Sequence, residues 1–449
     1  MLPEKLVSSL EGIEGFDKEA FEKVHASGEQ ITSIRINPFK NSEAQIPPSG
    51  VGGAVPWTEY GYYLAERPSF TFDPLFHAGC YYVQEASSMF IEQALKQTVD
   101  LSKPLKVLDL CAAPGGKSAH IQSLISEDSL LVSNEVIRSR VNILKDNIIK
   151  WGAGNVVVSN NDPKDFTKLE NYFDVIVVDA PCSGSGLFRR DPEAINEWSE
   201  NNVQLCSQRQ QRIIADVFPA LKKNGILIYC TCSYSKEEDE DICKWMMEEL
   251  PVDNCRLAID KIWNIIESST GYRFWPDKVK GEGFFLACFK KTEGDDRIMK
   301  KTKQKVDSLN KNEIAVIKNW VKKKSARFIR YHDTVYAIAE KLSDEITFLS
   351  DHLQIVYKGV ATGLIIRDKF IPDHALAMSH LLAETIPAIQ LDYNMSIKYL
   401  QKKEIQTKAD RTGWQLVQFN GHNLGWINVL PNRINNYYPK ELRILKESE

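Results

Sequence analysis

Apolar residues along the middle third of the chain fall into short runs that alternate with amphipathic segments. The runs are "LKVLDLCA", "SLLVSNEV", "NVVVSNND", "FDVIVVDAPC" and "GILIYCTCSY", and the segments between them include "GKSAHIQSLI", "RSRVNILKDNIIKW" and "CSQRQQRIIADVFPALKK". Strands that are apolar throughout are typical of parallel sheets covered by helices on both faces. The pattern therefore predicts an α/β domain with a doubly wound parallel sheet over residues 95–292.

The segments on either side of this domain have a different pattern. Residues 1–94 predict a small α+β domain, in which helices precede a strand over "SIRINP" and a loop over "NSEAQIPPSGVGGAVPW". Residues 293–312 are rich in Lys and Arg and predict a basic linker. A further α+β domain is expected over 313–385, and residues 386–449 contain the strand-like run "GWQLVQFNGHNLGWINVL".

Composition narrows the class of protein. The 449 residues are 43% hydrophobic and 26% charged, with a net charge of −4, as in ordinary globular proteins. No apolar run reaches the roughly 18 residues of a membrane span, and the N-terminus lacks the pattern of a signal peptide. The nine cysteines form no repeated CxxC pairs. We expect a cytoplasmic protein without membrane contact, disulfides or a metal site.

The stretch "DLCAAPGGKSAHI", residues 109–121, is close to a phosphate-binding loop. Gly116, Lys117 and Ser118 match the end of that motif, but Cys111 stands where its first glycine is required. A nucleotide hydrolase with a second motif in "VIVVDAP" stays open at this point. Glu135 favours a different ligand, because it follows the glycine turn by about 20 residues, where an acid binds a ribose diol in doubly wound folds.

Two further carboxylates, Asp162 and Asp179, follow the next two predicted strands. Each alone is typical of a helix N-cap or a turn. Together with Glu135 they would repel an uncovered phosphate. They suit a ligand that carries a ribose diol, an adenine amino group and a cationic amino acid, which describes S-adenosylmethionine.

Cys182 and Cys232 follow the fourth and fifth predicted strands, so both are expected at the ligand-binding edge of the sheet. A single cysteine of this kind is usually a small buried hydrophobe. Two at adjacent strand ends indicate a nucleophilic thiolate, whose pKa nearby Lys117, Arg189 or Arg190 could lower.

These pieces resemble the Sun family of RNA cytosine-C5 methyltransferases, and in particular its RsmF-type branch, which acts on 16S ribosomal RNA. The resemblance rests on "DLCAAPGGK", "NE" at 134–135, "NND" ending at Asp162, "DAPCSGSGLFRRDP", "YCTCSYSKEEDE" and "RFWPDKVKGEGFFLA". "TSIRINPFK" and "HAGCYYVQEASSM" favour the RsmF-type branch. The resemblance implies a Rossmann-like, S-adenosylmethionine-dependent methyltransferase of the EC 2.1.1 class, with a PUA-like RNA-binding region at the C-terminus. A monomer that binds RNA, namely 16S rRNA or the small ribosomal subunit, is expected.

Four arginines that flank the active-site strand are candidates for RNA contact, namely Arg189, Arg190, Arg209 and Arg212. Trp414 and Trp426 lie in the C-terminal segment, where core packing is the more common role of a tryptophan.

The resemblance also implies roles for individual residues. Cys232 would attack C6 of the target cytosine, Cys182 would assist product release, and Asp179 would donate a proton to N3. Lys117 is expected to face the substrate or the active-site carboxylates. The cofactor would be held by Cys111, Ala112, Ala113, Pro114, Gly115, Gly116, Lys117, Glu135, Asp162 and Asp179.

Some residues depart from the family pattern. Cys230 is an extra thiol two positions before Cys232, expected in the core, and it leaves open which thiol attacks. Asp277 and Phe284 stand where related enzymes often carry His. A non-catalytic RNA-binding assembly factor is a further alternative, although the presence of both cysteines argues against it.

Overall fold

The N-terminal domain is a four-stranded antiparallel sheet with short helices. The computed structural model describes residues 2–40, 50–294, 307–322, 326–367, 369–405 and 411–447. The elements of this domain are α1 (Glu4–Ser9), α2 (Lys18–Ala26), β1 (Ser33–Ile36), β2 (Val51–Ala54), β3 (Gly61–Leu64), α3 (Pro74–His77), β4 (Tyr81–Val83) and α4 (Ile91–Thr98). The strand order is β2-β3-β1-β4.

The central domain is built on a parallel sheet. Its elements are β5 (Lys106–Asp109), α5 (Gly116–Leu124), β6 (Leu130–Asn134), α6 (Arg138–Trp151), β7 (Val156–Ser159), β8 (Phe173–Asp179), α7 (Ala194–Glu197), α8 (Glu200–Val217), β9 (Leu221–Thr231), α9 (Glu240–Glu249), β10 (Val252–Cys255), β11 (Ile266–Glu267), β12 (Tyr272–Phe274) and β13 (Phe284–Lys291). Strands β7-β6-β5-β8-β9 are parallel in that order, and β13 continues the sheet antiparallel to β9. The predicted doubly wound α/β fold is confirmed.

Apolar strands explain why this sheet is covered on both faces. Every residue of β6 and β7 is buried, so neither face of these strands is left to solvent. The strand order changes direction between β5 and β8, since β6 and β7 lie on one side of β5 and β8 and β9 on the other. Ligands of doubly wound folds bind at the carboxyl ends of the strands at such a point.

The C-terminal part carries two more sheets. The first follows the order β14-β15-β16-β18-β19 and the second β20-β21-β22-β23. Their elements are β14 (Asp307–Ser308), α10 (Lys311–Lys318), β15 (Ala326–Tyr331), β16 (Thr334–Ala339), α11 (Ser343–His352), β17 (Ile355–Lys358), β18 (Val360–Ile366), β19 (Lys369–Pro372), α12 (His374–Met378), β20 (Ala388–Gln390), α13 (Tyr393–Leu400), β21 (Gly413–Phe419), β22 (His422–Leu430) and β23 (Arg433–Asn436).

Short 3₁₀ segments connect several of these elements. They are Phe70–Phe72, Ser87–Phe90, Pro163–Leu169, Ser185–Leu187, Phe218–Ala220, Lys236–Glu238, Lys261–Trp263 and Glu340–Leu342. Among the described helices, none has the length and apolar character that a membrane span requires.

Two details differ from the sequence expectations. The stretch predicted as a loop after "SIRINP" contains β2, a fully exposed strand that pairs with β3 through its backbone, which needs no apolar side chains. Strand β17, far beyond the predicted end of the central domain, pairs antiparallel with β7 and extends its sheet. An edge strand leaves backbone groups unpaired, and β17 satisfies those of β7.

Most of the predicted basic linker, residues 295–306, lies outside the residues that the structure describes.

A buried polar cluster joins the N-terminal domain to the central one. The carboxylate of Glu92 accepts hydrogen bonds from Arg35 at 3.1 Å and Thr58 at 2.7 Å and lies 2.9 Å from Nε2 of His120. His120 is on α5, the helix that begins at the glycine turn. Burial lowers the pKa of His120 to about 3, so the imidazole is neutral at physiological pH. The charge of Glu92 is balanced by the buried Arg35 and by Lys96, whose Nζ lies 2.7 Å from Oε1 of Glu92.

Glu92→Gln is therefore expected to lower the free energy of unfolding by about 3–5 kcal/mol, because it leaves the buried Arg35 guanidinium without its counter-charge. Urea unfolding followed by tryptophan fluorescence measures the change. Asp100→Asn, which alters an exposed carboxylate paired with Lys103, serves as the control and should leave the unfolding midpoint in place. A Glu92→Gln midpoint equal to that of the control would contradict this role.

Candidate active site

The loop between β5 and α5 turns sharply at its glycines. Gly115 has φ +116°, a left-handed conformation that favours glycine. A Cβ at Gly116 would lie 3.0 Å from the ring of Tyr82. The backbone thus enters α5 in a tight turn that directly follows the carboxyl end of β5.

Asp109, at the end of β5, is fully buried beneath this loop. Ser118 donates a hydrogen bond of 2.6 Å to its Oδ2, while Oδ1 has no hydrogen-bond partner among the described residues. Burial raises the pKa of Asp109 to about 7, and the carboxylate of Asp179 adds to this effect. A buried acceptor without a partner is a feature of ligand-binding sites.

Two of the acids predicted to bind the cofactor, Glu135 and Asp162, follow strands. Glu135 follows β6, is almost fully buried, and accepts a hydrogen bond of 2.8 Å from the backbone N–H of Ile137. Asp162 follows β7 and accepts a hydrogen bond of 3.2 Å from the backbone N–H of Lys164. Asp162 therefore caps a 3₁₀ segment, as such a residue commonly does, and its predicted contact with adenine stays a prediction.

Lys117 points to a carboxylate. Its Nζ lies 2.7 Å from Oδ2 of Asp179, at the end of β8. Burial lowers the pKa of Lys117, but the charge and hydrogen bond of Asp179, together with the neighbouring Cys230 and Asp109, raise it above its ordinary value. The lysine is thus held as an ammonium beside Asp179 instead of being directed at a phosphate.

Cys182 and Cys232 come together at the ends of β8 and β9. Their Sγ atoms are 3.0 Å apart, and both side chains are partly exposed. The hydrogen bond to Cys232 and burial together raise the pKa of Cys182 well above its ordinary value. Cys182 is therefore held as a protonated thiol that can donate to the sulfur of Cys232.

The extra thiol, Cys230, lies apart from this pair. It is completely buried within β9, and its Sγ lies 3.5 Å from Oδ1 of Asp179. Burial raises its pKa well above the ordinary value, with the charge of Asp179 acting in the same direction. Strand β9 ends at Thr231, so the strand's alternation of faces does not extend to Cys232. Cys111, in the loop after β5, likewise has a pKa raised by burial.

Several other residues singled out in the sequence have structural roles. Arg189 is buried and donates to the backbone carbonyls of Gly281 at 3.1 Å and Glu29 at 2.8 Å. Its guanidinium is therefore used within the protein and is not available for the RNA contact that the sequence predicted. Trp426 is buried in a C-terminal core. Phe284 is buried as well, and its ring lies 5.3 Å from Nζ of Lys117. In contrast, the predicted RNA-contacting side chains of Arg190, Arg209 and Arg212 are exposed.

Sequence reasoning missed an acid that connects the loops after β8 and β9. These two loops contain Cys182 and Cys232 and are called the cysteine loops below. Glu238 is completely buried and accepts hydrogen bonds from Ser183 and Ser233, the residues that follow the two cysteines. The motif "KEEDE" looks like an ordinary acidic start of a helix. Only the spacing to both Cys-Ser pairs could have indicated its position.

The donor set fits S-adenosylmethionine. Carboxylates at four neighbouring strand ends can accept from ribose hydroxyls and from amino groups, and the unpartnered Oδ1 of Asp109 lies among them. A triphosphate would meet these carboxylates, whereas the cation it needs, Lys117, is bound to Asp179. Fold and site together define an S-adenosylmethionine-dependent methyltransferase.

Comparisons with known proteins also place the chain in the class of methyltransferases. Residues 96–290 match the family described as 16S rRNA methyltransferase RsmB/F, residues 2–86 the N-terminal domain of 16S rRNA methyltransferase RsmF, and residues 387–444 the methyltransferase RsmF PUA domain. The chain is 30% identical to ribosomal RNA small subunit methyltransferase F of Psychromonas ingrahamii, over 91% of this chain and 90% of that protein. The chain belongs to the RsmF family. The nucleotide hydrolase and the non-catalytic assembly factor are therefore wrong.

Solved structures support the same fold. A methyltransferase homolog protein from Pyrococcus horikoshii is 26% identical, with a TM-score of 0.54 that covers 65% of this chain and all 100% of the other. NSun6 from Pyrococcus horikoshii, solved with SFG, has a TM-score of 0.55 at 20% identity and covers 65% of this chain and 99% of its own.

Glu135→Ala is expected to weaken S-adenosylmethionine binding at least about tenfold, because each charge-assisted bond to the ribose diol contributes roughly 1.5–3 kcal/mol. Isothermal titration calorimetry measures the affinity. Glu170→Ala is the matched control and should bind like the unaltered enzyme. It removes an exposed carboxylate before the amino end of β8, outside the crevice formed by the carboxyl ends of β5 to β9. Unaltered affinity in Glu135→Ala would remove this residue from the site.

Proposed function

We propose that this enzyme methylates C5 of cytidine in RNA, with Cys232 as the nucleophile and Cys182 assisting product release. The observation that carries the proposal is the 3.0 Å separation of the two thiols at adjacent strand ends, next to the Lys117–Asp179 ion pair. C5 of cytosine is a poor nucleophile by itself, so a methyltransferase acting there needs a group that activates the ring. A pair of thiols at the crevice meets that need.

The first step is the addition of Cys232 to the base. Cys232 attacks as a thiolate, and a bond forms between its Sγ and C6. The electrons of the C5–C6 double bond move toward N3, which receives a proton through Asp179 from the ammonium of Lys117. The 2.7 Å contact between Lys117 and Asp179 gives this proton a path.

The second step restores the aromatic ring. When bound, S-adenosylmethionine supplies a methyl group to the activated C5. N3 returns its proton along the same path, and the proton on C5 passes to water. The electrons of the C5–H bond re-form the double bond and expel the Cys232 thiolate, which the S–H of Cys182 stabilises as it leaves.

RNA is the substrate class that the accessory domains favour. The C-terminal region matches an RsmF PUA domain, and the relative from Psychromonas ingrahamii is named for the small-subunit ribosomal RNA. The exposed Arg190, Arg209 and Arg212 are suited to contact phosphates beside the crevice. A target base must be unstacked before a thiol reaches C6, so these elements would hold a structured RNA around an extruded cytidine. The substrate we propose is 16S rRNA, and the monomeric state and the cytoplasmic location stay predictions.

The test is a map of 5-methylcytidine in 16S rRNA from cells with and without the gene, combined with transfer of labelled methyl groups to that RNA by the purified enzyme. We expect at least one 5-methylcytidine to disappear without the gene and to return when the purified enzyme acts on that RNA. Free rRNA and small subunits are compared as substrates. Methylation of another base, or of another atom of cytosine, would contradict the proposal.

A further inference from the structure

Glu238 lies where the two cysteine loops meet. Its Oε1 accepts a hydrogen bond of 2.8 Å from the backbone N–H of Ser183, and its Oε2 accepts bonds from the hydroxyls of Ser183 at 2.5 Å and Ser233 at 2.6 Å. Gln210 donates a fourth, longer bond of 3.3 Å to Oε1. The carboxylate is completely buried, so protein donors take the place of water around it.

We infer that Glu238 is a positioning residue that sets the distance between the thiols of Cys182 and Cys232. Ser183 directly follows Cys182, and Ser233 directly follows Cys232. A single carboxylate therefore ties the backbone of one loop and the hydroxyls of both, each one residue from a thiol. In the part of the chain that the structure describes, no hydrogen bond joins Glu238 to either sulfur, so its positioning effect is exerted through the two serines. This inference rests on the proposed function, since it assigns the geometry on which the two-thiol chemistry depends.

The neighbouring contacts explain why such a tie is needed. The loops are also joined by the backbone N–H of Gly186, which donates 2.8 Å to the carbonyl of Cys232, and by that of Tyr234, which donates 2.9 Å to Oγ of Ser185. These bonds fix one loop against the other on the side of residues 184–186. On the side of Cys182, the backbone N–H of Ala180 donates 2.9 Å to the carbonyl of Cys230, and the two thiols are in contact at 3.0 Å. The residues that follow the cysteines are joined by Glu238 and by the 3.5 Å approach of the Ser183 and Ser233 hydroxyls. Without Glu238 we expect the backbone bonds to keep the loops joined, while the segments that directly follow the two cysteines lose the carboxylate that holds them together.

Replacement of the acid separates positioning from folding. Glu238→Ala removes all of its side-chain bonds, whereas Glu238→Gln keeps an oxygen that accepts from the Ser183 N–H and an amide that donates to the serine hydroxyls. Asp239→Asn is the matched control. It alters the adjacent buried acid, which accepts from Thr231 at 2.6 Å and lies 3.2 Å from Arg273. The Thr231 hydroxyl accepts from the Ser233 N–H at 3.2 Å, and the asparagine keeps an oxygen that can accept from Thr231. All three substitutions alter a buried acid at position 238 or 239. Among them, Glu238→Ala is the one that removes the hydrogen bonds between the two loops.

The readout is the rate at which the two thiols form a disulfide in the folded enzyme without RNA. A small disulfide reagent, oxidised glutathione, reacts with one thiol and the second displaces glutathione, so two protein thiols and one oxidised glutathione give one protein disulfide and two reduced glutathiones. Mass spectrometry of the peptides that contain Cys182 and Cys232 measures the product. We expect Glu238→Ala to slow the second, intramolecular step at least about tenfold. Glu238→Gln and Asp239→Asn should both stay within about threefold of the unaltered enzyme.

Methyl transfer gives a second measurement. Glu238→Ala should lower kcat at least about tenfold with little change in the KM for RNA, and Glu238→Gln should restore most of it. A Glu238→Ala enzyme that forms the disulfide at the unaltered rate overturns the inference, as does an equal slowing in Asp239→Asn. If no cytidine is methylated by the unaltered enzyme, the proposed function fails while the disulfide measurement still decides the role of Glu238.

Discussion

Cys232→Ala is expected to abolish methyl transfer, with a loss of at least about a thousandfold, while S-adenosylmethionine binding stays within about twofold. The thiol acts on the base and lies at the end of β9, whereas the residues assigned to the cofactor lie at the ends of β5 to β8. Removing it takes away the group that activates C5 without altering the cofactor crevice. Single-turnover transfer of labelled methyl groups to RNA measures the first effect, and calorimetry measures the second.

Cys243→Ala provides the matched control, because Cys243 is a completely buried thiol of α9 outside the crevice. This variant should retain activity within about threefold. Substantial methyl transfer by Cys232→Ala would move the nucleophile to Cys182 or Cys230. Of these two, Cys182 is the better placed, since it is partly exposed at the strand end whereas Cys230 is completely buried within β9.

The parallel sheet could be predicted because its strands are apolar along their whole length. A run such as "VVV" in β7 has no polar residue to turn toward solvent, so it is buried on both faces. Strand β2 shows the opposite case. Its sequence "VGGA" is exposed and joins its sheet through backbone hydrogen bonds alone, which leave no apolar signal in the sequence.

Long-range pairing is the other part of the fold that the sequence did not indicate. Strand β17 is separated from β7 by almost two hundred residues, and it joins the central sheet because β7 would otherwise be an open edge. Which distant segment covers an edge depends on how the domains pack. The domain boundary predicted at residue 292 was drawn from local patterns, and such patterns carry no information of this kind.

The candidate site could be predicted to the extent that it lies at strand ends. Glu135, Asp162 and Asp179 lie at or just after the ends of β6, β7 and β8, and parallel strands bring their carboxyl ends to one edge. The hydrogen-bond partners and the burial of individual side chains were harder to predict. The sequence indicated that Arg189 was close to the crevice but did not indicate that its guanidinium is used by backbone carbonyls. Likewise, nothing in "KEEDE" distinguished the buried Glu238 from its more exposed neighbour Glu237.

Cys182→Ala should have a different effect from Cys232→Ala, although the two sulfurs are only 3.0 Å apart. In the proposed mechanism Cys182 acts after the bond between Cys232 and C6 has formed, by donating its S–H to the departing sulfur. Without that donor, Cys232 still adds to the base, but its elimination is slow. We expect the enzyme to accumulate as a covalent complex with RNA and methylation to stop after about one turnover.

Denaturing electrophoresis of the enzyme with labelled 16S rRNA and S-adenosylmethionine measures this complex. Cys182→Ala should give a retained band, and the unaltered enzyme should give little. The double variant Cys182→Ala and Cys232→Ala is the control, because no bond to C6 can form without Cys232, and it should give no band. If Cys182 were only a packed thiol behind the strand end, Cys182→Ala would turn over normally and leave no band, which would exclude a two-thiol mechanism.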